Sequence, residues 1–144
     1  MHKMKRFLRL PGKVKAMISE ALYYAAKYRW LLLHKPFHAI AADLGSERTE
    51  SDMEVSSAYH DTIRSVAWAI NAVCNRTPWE SMCLVRAFCA KRMLRKRGLP
   101  ATVYMGVQKD KDGKLVAHAW TRCGAFFVTG GDGSETYTIT NYFS

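Results

Sequence analysis

The sequence predicts an α+β fold of one domain over residues 1–144, helical in 1–75, with a further helix and an antiparallel β-meander in 76–144. Three observations predict it. Apolar residues recur at steps of three and four through the first two thirds of the chain, alternation at a step of two replaces that rhythm after Pro100, and turn residues punctuate the remainder at short intervals. Helices that precede the strands, rather than alternate with them, argue for segregated α and β layers. The length of 144 residues suits a single domain, and an apolar share of 49% is ample for a core and excludes a disordered chain.

Val14, Met17, Ile18, Ala21, Leu22, Ala25 and Tyr28 predict a helix over 13–33, entered at Pro11-Gly12 and broken by Pro36. A shorter helical segment over 37–44 ends at Gly45, a C-cap residue, and 46–54 reads as a polar, exposed loop. Val55, Tyr59, Ile63, Val66, Ile70 and Val73 predict a second long helix over 54–74, which stops before Thr77-Pro78. The next helix opens at Ser81-Met82-Cys83-Leu84, with Ser81 a candidate N-cap, and runs to Lys96. Gly98-Leu99-Pro100 stops it: glycine past the end and proline two residues later cannot continue a helix. Strands follow over 102–107, 115–122, 125–129 and 136–142, separated by Lys109–Gly113, Gly124 and Gly130–Ser134.

The formal net charge of +10 is concentrated. The first 35 residues carry nine Lys and Arg against Glu20 alone, and Arg86, Lys91, Arg92, Arg95, Lys96 and Arg97 form a second cluster. Each run is either a solvated helix face or a docking surface for an acidic partner. No RRM, zinc-finger or helix-turn-helix pattern points to nucleic acid. The stretch 21–33 is interrupted by Lys27 and Arg29 and is too short to span a bilayer, so no membrane span and no export signal are expected. Cys74, Cys83, Cys89 and Cys123 lack the CxxC spacing of a zinc or redox site, and a cytoplasmic protein with reduced thiols is expected.

A thiol attacks a carbonyl carbon as thiolate, favoured by the positive end of a helix and by a neighbouring imidazole. Cys83 falls in a first turn; Cys89 is mid-helix, Cys74 closes an apolar stripe and Cys123 sits at a hairpin turn. His118 lies in the strand Ala117-His118-Ala119-Trp120, sharing a face with Val116, Trp120 and Arg122. Each taken alone also suits a structural role, a core thiol or a satisfied strand histidine. His2 is terminal, His34 and His38 flank the Pro36 break, and His60 faces a helix surface.

Cys83-Leu84-Val85-Arg86-Ala87, Leu94-Arg95-Lys96-Arg97-Gly98-Leu99-Pro100-Ala101, Gly106-Val107 and Ala117-His118-Ala119-Trp120, in this order, resemble the lasso-peptide leader peptidases of the transglutaminase-like superfamily. The resemblance covers about residues 76–143. It implies a transglutaminase-like, papain-like cysteine protease fold and an enzyme that removes the leader from a ribosomally made lasso precursor. It further implies a separate leader-recognition protein, an ATP-dependent cyclase that closes the ring, and no cofactor or metal. Cys83 maps to the nucleophile and His118 to the general base. The third member is open. Where relatives place an Asp, this chain has Phe127-Val128-Thr129-Gly130-Gly131, so Asp132, Glu135 or a non-acidic group would orient the imidazole. Two other readings stand beside this one: a non-catalytic peptide-binding module of the same fold, and another acyl-transfer enzyme such as a transglutaminase.

Overall fold

The computed structural model describes residues 2–77 and 82–144. It opens with a short helix, α1 (His2–Leu8), which the periodicity did not anticipate. Pro11 takes the N-cap position of α2 (Gly12–His34), close to the expected bounds. Ala21, Ala25 and Tyr28 turn inward at steps of four and three, so α2 buries a narrow stripe and leaves Tyr23, Trp30 and Leu33 exposed. The expected helix over 37–44 is two structures in succession. α3 (Phe37–Ile40) tightens into a 3-10 turn over Ala41–Leu44, which Gly45 ends at φ +106°, a conformation open to glycine.

The expected helix over 54–74 is shorter. A 3-10 turn at Ser57–Tyr59, whose start is capped by the Ser56 hydroxyl accepting from the Ala58 N–H, leads into α4 (His60–Cys74). Ile63, Val66, Ala69, Ile70 and Val73 form its inner face. α5 (Cys83–Lys96) follows, with Met82 at the N-cap position; Ser81, the cap expected from sequence, lies outside the described residues. Its C-terminus is a Schellman motif. The Leu99 N–H donates to Leu94 and the Gly98 N–H to Arg95, each at 3.0 Å, with Gly98 at φ +70°.

The strands are β1 (Thr102–Lys109), β2 (Leu115–Cys123), β3 (Phe126–Thr129) and β4 (Thr138–Phe143). All pairings are antiparallel, which completes the α+β class, but the spatial order is β3-β2-β1-β4. Only the first three strands form a meander. β3 is four residues long, and the glycines of 130–133 with a 3-10 turn at Ser134–Thr136 carry the chain back to the free edge of β1.

α5 covers one face of this sheet. Val103, Ala119 and Phe143 from the strands meet Tyr28 from α2 and Ala87 and Phe88 from α5, with Phe88 stacked on Tyr28 at 4.6 Å. A second cluster joins α2, α4 and α5 through Ala25, Val66, Ile70, Cys89 and Met93. The other face carries Tyr104, Trp120 and Arg122, which alternation turns away from α5. Arg122 is buried there. Its guanidinium donates to the carbonyls of Ser51, Asp52 and Gly124 and to the Tyr104 hydroxyl, so the segment after Gly45 is tied to the sheet.

Candidate active site

Cys83 is the first residue of α5. The first hydrogen bond of that helix runs from the Arg86 N–H to the Met82 carbonyl, so the N–H groups of Cys83, Leu84 and Val85 have no partner within the helix. Among the described residues no side chain caps this end. The sulfur therefore sits at the end of the helix that carries positive partial charge. Cys83 is half-buried and packs against the cluster that contains Phe88 and Ala119.

The other cysteines differ in kind. Cys74, Cys89 and Cys123 are buried. Burial, and next the neighbouring Cys74, push the Cys89 thiol far above its ordinary value. Burial also raises Cys123, opposed by the charges of Arg122 and Lys91. The Cys89 and Cys123 thiols are thereby held protonated, and the burial of Cys89 agrees with its mid-helix position.

His118 stands where β2 changes character. Leu115, Val116 and Ala117 are exposed and Ala119 to Cys123 are buried. Ala119 points into the cluster beneath α5, and the His118 ring lies on the face it shares with Trp120. Trp120 stacks on it at 5.8 Å and Tyr137 leans against it at 5.0 Å. Gly106, the residue opposite His118 in β1, makes room for these rings: a Cβ there would stand 3.0 Å from both Trp120 and Tyr137.

One ring nitrogen has a defined partner. His118 Nε2 is 2.7 Å from the carbonyl oxygen of Gly130. A carbonyl only accepts, so Nε2 carries the hydrogen and the neutral ring keeps its lone pair on Nδ1. Gly130 is at φ +66°, and a Cβ on it would stand 2.6 Å from the Ala119 carbonyl and 3.1 Å from Nε2. Only a residue without a side chain lets this carbonyl approach the ring.

Among the described residues no hydrogen bond joins Cys83 to His118, and neither Asp132 nor Glu135 forms a hydrogen bond or ion pair with the imidazole. Both acids are exposed. The structure brings Gly130, not Asp132, onto His118. Pro78 and Trp79, which precede the cysteine in the sequence, lie outside the described residues. Sequence reasoning overlooked Gly106, Gly130 and Tyr137; the Gly130-Gly131 pair after a strand was the available signal. On the outer side of α5, Arg92, Arg95 and Lys96 line a depression of about 300 Å³ with Tyr24, which presents positive charge to any acidic group that meets it.

Residues 24–141 match the transglutaminase-like superfamily. The chain belongs to that superfamily. The matched span begins within α2 and extends into β4, so it takes in Cys83, His118 and the whole loop that carries Gly130. Superfamily membership indicates a cysteine peptidase or acyl-transferase type of protein. No curated protein and no solved structure matches the chain. Among the described residues, no helix is long and apolar enough to cross a membrane.

Proposed function

We propose that the protein is a cysteine peptidase that removes the leader from a lasso-peptide precursor, with a separate recognition protein holding the leader and an ATP-dependent cyclase acting afterwards. The observation that carries the peptidase reading is a half-buried thiol in the first turn of a helix, in a transglutaminase-like chain whose strand histidine keeps its lone pair on Nδ1. The narrower assignment to lasso precursors rests on the ordered sequence blocks from Cys83 to Trp120.

This mechanism requires Cys83, on the α5 side of the sheet, and His118, on the face shared with Trp120, to be brought together on substrate binding. Nδ1 of His118 then takes the thiol proton, and the thiolate attacks the carbonyl carbon at the leader–core junction. The oxygen that becomes negative is stabilised by N–H groups at the start of α5, which have no partner within the helix. The C–N bond breaks as the imidazolium returns its proton to the leaving amine. Water, deprotonated by the same nitrogen, then hydrolyses the thioester to free the carboxylate and the thiol. An amine that took the place of this water would give the acyl-transferase outcome.

The test is incubation of a leader-bearing precursor with the protein and its recognition partner, read by mass spectrometry. Two peptides whose masses sum to the precursor plus one water are expected, and Cys83→Ala should abolish them while circular dichroism stays unchanged. Cleavage that persists in C83A would refute the assignment. A product joined to an added amine would favour acyl transfer, and no product of either kind would favour a binding module.

A further inference from the structure

Resting on the peptidase reading, we propose that the main-chain carbonyl of Gly130 is the positioning group for His118, and that the site works without the carboxylate that usually fills this place. A third group in such a site has two jobs: it fixes which ring nitrogen bears the proton, and it holds the plane of the ring. The Gly130 carbonyl does both. It accepts from Nε2 at 2.7 Å, which leaves Nδ1 as the base, while Trp120 and Tyr137 hold the ring from the sides.

The alternatives among the acids are badly placed for the task. Asp132 and Glu135 are exposed and make no bond to the imidazole, and Nε2, the nitrogen they would have to reach, is occupied. Gly130 is also constrained in a way a plain turn glycine is not. Its φ of +66° and the 2.6 Å separation between a built Cβ and the Ala119 carbonyl mean that any side chain would move the oxygen away from the ring. A carbonyl carries partial rather than full charge, so it orients the imidazole strongly but stabilises an imidazolium less than a carboxylate would.

The experiment combines nitrogen NMR of the ¹⁵N-histidine-labelled full chain, at a pH where the ring is neutral, with the rate of Cys83 alkylation by iodoacetamide. Wild type and Asp132→Asn should both show His118 as the Nε2–H tautomer, with alkylation and precursor cleavage alike within about twofold. Gly130→Ala should lose the single-tautomer signature and slow alkylation by about tenfold or more. If that variant does not fold, the wild-type and D132N spectra decide alone. An Nδ1–H tautomer in wild type, or a loss of about tenfold or more in D132N, would overturn the proposal. Cleavage that survives C83A beside an unchanged Nε2–H signature would sink the peptidase reading and leave the ring placement standing, so the two failures are distinguishable.

Discussion

On the side of the sheet that α5 covers, Val103, Ala119 and Phe143 meet Tyr28, Ala87 and Phe88, whereas the opposite side sets Tyr104, Trp120, Tyr137 and His118 in ring contact around a glycine. The first arrangement stabilises by removing apolar area from water and filling space. The second leaves a titratable ring half-exposed and fixes its direction with neighbours and one carbonyl. Each side also buries one cation among the described residues, and again by different means. Lys91 on α5 donates to the Ala101 carbonyl alone, while Arg122 spreads its donors over three carbonyls and two hydroxyls. The lesson is that packing carries stability on one side and orientation on the other.

That contrast can be broken from either side. The largest effect is expected from Phe88→Ala, which empties a fully buried ring site and should destabilise the fold by about 3–5 kcal/mol in urea melts. A loss below about 1 kcal/mol would mean that the α5 face is not the main source of stability. Arg122→Ala should cost about 2–3 kcal/mol, because it strands the carbonyls of Ser51, Asp52 and Gly124. A nearly neutral result would show that the segment is held by other contacts.

The smallest effect concerns pH and sharpens the comparison of the two cations. Burial lowers the Lys91 pKa to about 8, and the Arg95 charge adds to the shift. Between that value and the ordinary 10.5 the unfolded chain binds more protons than the folded one, so this residue makes stability rise with pH across the window and holds it down below. Lys91→Met should flatten that rise in melts taken from pH 7 to 10.

Much of the scaffold was legible because it is written in local periodicity. The α2 stripe of Ala21, Ala25 and Tyr28 and the Gly98-Leu99-Pro100 stop of α5 each depend on neighbours a few residues away. The helix opening read at Ser81-Met82-Cys83-Leu84 also put Cys83 in a first turn, as found. What escaped is non-local. Nothing in Thr138–Phe143 says that its partner is β1 rather than β3, and Arg122 meets Ser51 and Asp52 about seventy residues away in sequence. The partner of His118 escaped for another reason. A backbone carbonyl has no residue type, so a search for an acid near the imidazole passes over Gly130 and stops at Asp132.

The anchoring of residues 51–52 by Arg122 changes what that stretch is. By composition it was a free polar excursion; in the folded protein it is a strap across the outer sheet face. A strap fastened to a buried side chain of a central strand opens only when that strand opens. Its hydrogen exchange and its resistance to proteolytic nicking should therefore follow the sheet as one cooperative unit, rather than behave as a surface loop fraying on its own.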